Sequence, residues 1–127
     1  MFIELGKGKF GIVFLVEEKV TKTQYAAKFI KTRKRSYREK ALEEIDILKL
    51  VNHEHIIKYV DSFIDTNSVV ILMEYIGGGE LFVKIADENY SLTEVDCINF
   101  VRQICLGVQY LHSLDIVHLD LKVGSVV

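Results

Sequence analysis

The sequence predicts an α+β fold in which a β-rich half precedes an all-helical half. Residues 2–30 and 59–75 carry short runs of β-branched and aromatic residues separated by polar turns, which is typical of strands. Between them, residues 36–50 place apolar side chains three apart, as an amphipathic helix does. After the Gly77-Gly78-Gly79 triplet the pattern is helical only. This order of elements is that of an α+β fold.

The predicted strands fall into a group of three and a group of two. Residues 19–24 form a polar turn between the second and third strands. The Asp65-Thr66-Asn67 turn joins the last two as an antiparallel hairpin. The strands are residues 2–5, 12–16, 25–30, 59–64 and 69–75.

The helix predicted at residues 36–50 has one apolar face. Leu42, Ile45, Leu48 and Val51 recur at spacings of three and are expected to pack against the sheet. A charged link, residues 31–35, precedes the helix. We interpret that link as a solvated loop, the alternative being a nuclear-localisation or calmodulin-like basic patch.

The helical half contains a short helix within residues 80–87 and a long helix that ends near His112. Thr93 is the predicted N-cap of the long helix. Apolar residues surround most of this helix instead of forming one stripe, so we expect other parts of the protein to cover it. Nothing further along the 127 residues has a pattern suited to that task, so we expect the chain to be part of a larger domain.

Composition places the chain among globular proteins of the cytoplasm. Its net charge of −2 provides no general attraction to nucleic acid or anionic membrane, and we predict neither partner. It has no apparent signal peptide and no apolar run long enough to cross a bilayer. Cys97 and Cys105 lie in an apolar helical pattern, and we expect both to be buried thiols in a reducing compartment.

The segment from Gly6 to Gly11 has the spacing G-x-G-x-x-G. By itself this spacing fits a dinucleotide fingerprint, a hairpin that covers a nucleotide, or a simple turn. A dinucleotide fingerprint opens a helix, whereas a β-branched strand follows Gly11 here. The sequence therefore favours a glycine-rich hairpin over phosphates, where backbone N–H groups approach the ligand.

Lys28 stands in the middle of an apolar strand. A lysine in such a place needs a carboxylate partner or an anionic ligand, unless it lies on an exposed edge. Glu44 is on the inner face of the next helix and is its predicted partner.

Six segments occur together in a characteristic order and spacing. They are Gly6 to Val13, Ala26-Ala27-Lys28, Glu44, Met73-Glu74-Tyr75-Ile76, Gly78-Gly79-Glu80-Leu81-Phe82 and His118-Leu119-Asp120-Leu121-Lys122. Taken together, these segments resemble a eukaryotic protein kinase domain, most closely the myosin light chain kinase group. The resemblance implies an N-lobe at 1–76, with a five-stranded antiparallel sheet and one long helix, and the first helices of a C-lobe at 77–127.

The resemblance also implies a set of residues that bind ATP. Met73 would be the gatekeeper beside the adenine, and the glycine-rich segment would cover the phosphates. The residues implied at the adenine and ribose are Leu5, Val13, Ala26, Met73, Glu74, Ile76 and Glu80. Those implied at the phosphates are Gly6, Lys7, Gly8, Lys9, Phe10 and Gly11.

Four further residues are implied to be catalytic. Lys28, held by Glu44, would bind the α- and β-phosphates, and Lys122 would lie beside the γ-phosphate. Asp120 would orient the substrate hydroxyl and accept its proton; without the resemblance it would be a loop carboxylate that caps local N–H groups. The implied cofactors are ATP and Mg²⁺, and the implied substrate is a protein serine or threonine, with myosin light chain as the family example. Calmodulin regulation is implied for a longer parent protein.

Agreement with the kinase pattern ends after Lys122. Ser125 stands where the family has an asparagine that holds Mg²⁺, and the Asp-Phe-Gly motif is absent from the sequence. We hypothesise that residues 123–127 are not evolved kinase sequence but intron read-through or the product of a mis-predicted gene model, because valine codons begin with the dinucleotide that opens most introns. We therefore expect the 127-residue chain to be inactive. The alternatives are a non-catalytic binding module and a fragment with no function.

Overall fold

Five antiparallel strands form one sheet in the computed structural model, which describes residues 3–8 and 11–126. Every pair of neighbouring strands is antiparallel, and the order across the sheet is β1-β2-β3-β5-β4. The predicted five-stranded antiparallel sheet is thus confirmed. The strands are β1 (Ile3–Gly8), β2 (Gly11–Glu17), β3 (Gln24–Lys31), β4 (Tyr59–Ile64) and β5 (Ser68–Glu74).

Three α-helices lie within the described ranges. They are α1 (Arg35–Leu50), α2 (Leu81–Ile85) and α3 (Glu94–Ser113), and a 3₁₀ turn follows at Val123–Ser125. The chain divides into two compact units. The first comprises residues 1–52 and 57–75, and the second comprises residues 53–56 and 76–127. The assignment of residues 1–76 and 77–127 to kinase lobes stays a prediction.

The first unit has a hydrophobic core between the sheet and α1. Ile71 and Val69 of β5 are fully buried, and Ile30 of β3 is almost so. Ala41 and Ile45 lie one helical turn apart on α1 and complete the core. Full burial of a side chain such as Ile71 contributes roughly 1.5–3 kcal/mol.

Helix α3 begins with a capping box. The Thr93 hydroxyl oxygen accepts a hydrogen bond from the Asp96 backbone N–H at 3.2 Å, and the Asp96 carboxylate accepts one from the Thr93 backbone N–H at 3.0 Å. This reciprocal arrangement satisfies two N–H groups that a helix start otherwise leaves unpaired. The prediction of Thr93 as the N-cap is confirmed.

Residues 53–56 pack against α3 within the second unit. The His53 ring stacks on Tyr110 with 5.0 Å between ring centroids. A Cβ added to Gly107 would lie 3.3 Å from the carbonyl oxygen of His55, so glycine permits a close approach here. Of the 20 residues of α3, Gly107 alone is buried.

Both cysteines are exposed on α3, so the prediction that they are buried thiols is wrong. The apolar pattern around them suggested burial, but burial depends on what covers a helix, and the second unit leaves most of α3 uncovered. Val95, Ile98 and Val101 are each more than half exposed on the same helix. None of the described helices has the length and apolar character needed to span a bilayer.

Candidate active site

One face of the sheet collects four of the predicted ATP-binding residues. Residues directly opposite each other on neighbouring strands point to the same face, as do residues two apart on one strand. Val13 lies opposite Lys28, and Ala26 lies opposite Met73. Since Ala26 and Lys28 are two apart on β3, all four side chains share a face. We call this group (Val13, Ala26, Lys28 and Met73) the Lys28 face.

The Lys28 face is continuous with the core. Lys28 lies opposite Ile71, and Ile30 follows two residues later on the same strand. Both isoleucines belong to the core that α1 covers. The packing of α1 on the sheet therefore brings its inner side close to Lys28.

Lys28 and Glu44 form an ion pair. The Lys28 Nζ lies 2.6 Å from Glu44 Oε1 and 2.9 Å from Oε2, so both carboxylate oxygens accept hydrogen bonds. Glu44 adjoins the buried Ile45 and is three residues from the buried Ala41, which turns it toward the sheet. The side chains of Lys28 and Glu44 are 21% and 36% exposed, so the ion pair is partly withdrawn from water. The predicted pairing is confirmed, and its net contribution to stability is about 1 kcal/mol or less.

The described glycines of the glycine-rich segment lie on the paired strands β1 and β2, a pair that we call the β1–β2 hairpin and in which Gly8 lies opposite Gly11. A Cβ on Gly11 would stand 2.3 Å from the carbonyl oxygen of Phe29, so glycine is required where β2 begins beside β3. Lys9 and Phe10, two of the predicted phosphate-binding residues, lie outside the described residues.

The other predicted residues of β1 are exposed. Leu5 lies at an irregularity of the β1–β2 register between Glu4 and Gly6, where a bulge re-aims a side chain. Lys7 lies opposite Ile12, the neighbour of Val13, and therefore belongs to the other face of the sheet.

A cavity of about 490 Å³ lies beside this hairpin in the first unit. Its lining includes Lys7, Gly8, Gly11 and Glu44, but none of the four residues of the Lys28 face. The cavity lining therefore contains none of the predicted adenine contacts of the Lys28 face, and of the Lys28–Glu44 ion pair it includes only Glu44.

Glu74 at the end of β5 is held by Lys58. The Lys58 backbone N–H donates to Glu74 Oε1 at 2.7 Å, and the Glu74 N–H donates to the Lys58 carbonyl oxygen at 3.0 Å. These residues are sixteen apart, and no local sequence pattern indicates that they meet. Leu15 lies opposite Ala26 and therefore shares the Lys28 face. It was not among the predicted site residues, although it is two residues from Val13 on β2 and the alternation of side chains along a strand places both on one face.

The second unit contains Asp120 and Lys122. The Lys122 Nζ lies 2.8 Å from Asp120 Oδ2. This hydrogen bond, and then the charge of Lys122, holds the pKa of the Asp120 carboxyl below its ordinary value. The Asp120 backbone N–H donates to His118 Nδ1 at 3.3 Å, and Leu119 between them has a φ of 59°. Asp120 is thus an exposed, ionised carboxylate at neutral pH.

Residues 124–126 lie against the start of α2. The Leu81 N–H donates to the Val126 carbonyl oxygen at 2.8 Å. A Cβ on Gly124 would stand 3.8 Å from Glu80 Oε2, so the predicted ribose contact Glu80 adjoins this segment. Ile76, the remaining predicted adenine contact, is exposed in the same unit.

Metal-ligating side chains are not clustered within the described part of the chain. The described residues include no group of three or more His, Cys, Asp or Glu side chains placed to hold a metal ion. Ser125, at the position implied to hold Mg²⁺, donates its hydroxyl to the Asp120 carbonyl oxygen at 3.3 Å. A serine hydroxyl is also shorter than the asparagine side chain that it replaces.

Comparisons with known proteins agree on one family. The model of the protein kinase domain matches residues 2–126. Human myosin light chain kinase family member 4 is 46% identical over 118 residues, which are 93% of this chain and 30% of that protein. Rat myosin light chain kinase 3 is 48% identical over the same share of this chain and 15% of its own length. The chain therefore spans less than a third of these relatives.

A solved structure shows the same fold. The twitchin kinase fragment of C. elegans superposes with a TM-score of 0.85 at 39% identity, covering 95% of this chain and 27% of that one. Similarity in sequence and in fold extends along nearly the whole chain. This chain belongs to the protein kinase domain family, and it is related to the myosin light chain kinases.

Proposed function

We propose that the chain is part of an ATP-dependent protein serine/threonine kinase domain. The observation that carries this proposal is the Lys28–Glu44 ion pair on the face that also presents Val13, Ala26 and Met73. Residues 1–76 would be the N-lobe and residues 77–127 the start of the C-lobe. The two free thiols of the chain, Cys97 and Cys105, support a location in the reducing cytosol.

The Lys28 face would bind the nucleotide. Val13 and Ala26 are small apolar side chains on which an adenine ring can lie, and Met73 stands directly opposite Ala26. Leu5, the backbones of Glu74 and Ile76, and the side chain of Glu80 complete the proposed contacts. Such a site is mostly apolar with a few polar groups that set orientation.

The phosphates would lie under the glycine-rich segment, next to Lys28. Both carboxylate oxygens of Glu44 accept hydrogen bonds from the ammonium group and orient it, so the lysine is in place before a ligand arrives. Phosphoryl transfer depends mostly on positioning and charge neutralisation, and a preorganised cation supplies both.

Asp120 would orient the substrate hydroxyl. Its carboxyl, with a pKa below the ordinary value of 3.8, is ionised at neutral pH and can accept a hydrogen bond from the substrate hydroxyl. Lys122 pairs with Asp120 in this structure. When ATP is bound, the Lys122 side chain would turn toward the γ-phosphate. Protein kinases generally use ATP with Mg²⁺. Because Ser125 is a poor metal ligand, we expect negligible phosphate transfer by the 127-residue chain and weak nucleotide binding.

Substitution of Lys28 tests the nucleotide site. The Lys28→Met chain should bind Mg·ATP roughly tenfold or more weakly, because a hydrogen bond to a charged group contributes about 1.5–3 kcal/mol. Binding is measured by titration with a fluorescent ATP analogue and by thermal shift. Lys31→Met is the matched control: Lys31 is on the same strand but on the other face, and its loss should change affinity little.

Equal affinities for the two variants would contradict the proposed site. Phosphate transfer to a myosin light chain peptide by the 127-residue chain would contradict the expected inactivity and would support the family substrate. If Mg·ATP causes no thermal shift while a specific protein partner binds, the chain is a binding module instead. Calmodulin regulation belongs to the same proposal and is tested on a longer parent protein.

A further inference from the structure

The start of α1 is the most strongly basic part of the chain. Six of the ten residues 31–40 are lysine or arginine and one is glutamate, whereas the whole chain has a net charge of −2. The single glutamate, Glu39, pairs with Arg35 at 2.8 Å. Within the described residues, Arg33 has no carboxylate partner, and the Lys34 ammonium group lies over the Tyr37 ring without a carboxylate partner. This surface, residues 31–40, therefore carries excess positive charge.

Ser36 lies in the middle of this basic segment, in the first turn of α1. It is exposed, and its hydroxyl makes no hydrogen bond within the described residues. Three cations, Arg33, Lys34 and Arg35, immediately precede it. A serine kinase with an acidic peptide-binding groove attracts a segment with this charge pattern.

The same end of α1 lacks the usual groups that stabilise a helix start. Lys34 is the N-cap residue and makes no side-chain cap bond, and the first turn contains no acidic residue. Thr32, the other nearby hydroxyl, is only 4% exposed, and its Oγ1 has no partner among the described residues. An uncapped, positively charged helix start is unfavourable because the helix dipole already places positive charge there. This turn should open at low cost, as a kinase needs when it binds an extended peptide.

We propose that Ser36 is a phosphate-acceptor site for a serine kinase with an acidic peptide groove, and that the phosphate then caps α1. The Ser36 Oγ attacks the γ-phosphorus of an ATP carried by that kinase. The new O–P bond forms as the bond to the β–γ bridging oxygen breaks; ADP leaves with that electron pair, and the hydroxyl proton passes to the kinase's base. The product places about two negative charges at an uncapped helix start beside Arg33 and Lys34, whose side chains have no carboxylate partner among the described residues.

The phosphate would act on the candidate active site through α1. Ser36 and Glu44 both belong to this helix, so the modified turn and the carboxylate that pairs with Lys28 are parts of one element. A more stable first turn reduces the opening of the helix that positions Glu44 against Lys28. The modification itself does not depend on nucleotide binding by this chain.

The test uses the purified 127-residue chain, radiolabelled ATP and the catalytic subunit of cAMP-dependent protein kinase as the basic-directed probe. Mass spectrometry should locate phosphate on Ser36, with incorporation about tenfold or more faster than at Ser91, an exposed serine in an acidic segment. Ser36→Ala should abolish this incorporation, and Arg33→Ala should slow it. Lys19→Ala, which removes an exposed cation elsewhere, should leave it unchanged. A reaction without the probe kinase controls for transfer by the chain itself.

Amide hydrogen exchange tests the capping step. In the phosphorylated chain, exchange at Tyr37 and Arg38 should slow about two- to fivefold, the effect of one favourable charge at a helix start. Phosphate found equally on Ser36 and Ser91, or on neither, would overturn the acceptor site. Unchanged or faster exchange after phosphorylation of Ser36 would overturn the capping role.

Discussion

The two units of the chain differ in how their apolar residues are used. In the first unit α1 and the sheet bury Ile30, Ile45, Val69 and Ile71 against each other. In the second unit α3 is the longest helix of the described chain, yet Gly107 is its one buried residue. Segments rich in apolar residues therefore form a core in the first unit, whereas in the second unit the apolar residues of α3 remain mostly exposed.

The two units differ in how firmly they hold their candidate site residues. Lys28 and Glu44 lie on packed elements, and their ion pair is partly withdrawn from water. Asp120 and Lys122 pair on an exposed loop, with side chains more than half exposed. Residues on a packed scaffold keep their geometry, whereas an exposed ion pair contributes little to order.

The largest expected effect is the loss of unfolding free energy when a core side chain of the first unit is shortened, compared with an exposed one of the second. Ile71→Ala should lower the free energy of unfolding of the first unit by about 2–5 kcal/mol, because it leaves a cavity at a fully buried position. Ile98→Ala in α3 is the matched variant, and with its side chain mostly exposed it should change stability by about 0.5 kcal/mol or less. Urea unfolding followed by amide exchange in each unit measures both. Similar losses for the two variants would contradict the contrast between the units.

A smaller effect is expected from two glycines at close approaches. Gly11→Ala should cost about 1–3 kcal/mol, since the new Cβ would overlap the Phe29 backbone, which cannot move without parting β2 from β3. Gly107→Ala in the second unit meets His55 at 3.3 Å, and the gain in helix propensity offsets part of that crowding. Gly6→Ala, with open space around it, is the control. If Gly107→Ala destabilises the protein more than Gly11→Ala does, the second unit is packed more tightly than the structure indicates.

The smallest effect concerns pH and the start of α3. The hydrogen bond with the Thr93 side chain, and then that with its backbone, lowers the pKa of Asp96 below the ordinary value of 3.8. The ionised carboxylate therefore stabilises the folded helix at pH values above 3.8, and this stabilisation is lost as pH falls through the folded-state pKa.

Asp96→Asn should thus reduce amide protection in the first turn of α3 at about pH 6, and the difference from the parent should shrink as the pH falls below 3.8 and through the lowered pKa of Asp96. Glu94→Gln removes another carboxylate from the same turn and is the control for general charge effects. A difference that persists unchanged at low pH would show that the ionised Asp96 is not what stabilises this helix start.

Local patterns in the sequence were sufficient for most of the fold. The strands and α1 were predicted within a few residues of their bounds, because alternation and helical spacing are properties of neighbouring residues. Thr93 was identifiable as an N-cap for the same reason. The Lys28–Glu44 pair was also predictable, since an unpaired lysine on an apolar strand has few alternatives to a carboxylate on the adjoining helix.

The sequence by itself determined the elements, the kinase resemblance and the residues of the candidate site, because these depend on residue type and spacing. Tertiary structure alone decided that Cys97 and Cys105 are exposed, that Lys58 holds Glu74 and that Val13, Ala26, Lys28 and Met73 share one face. The physical reason is that burial and strand register depend on residues far apart in the chain. An apolar pattern shows which side of an element prefers to be covered, and only the folded chain determines what covers it.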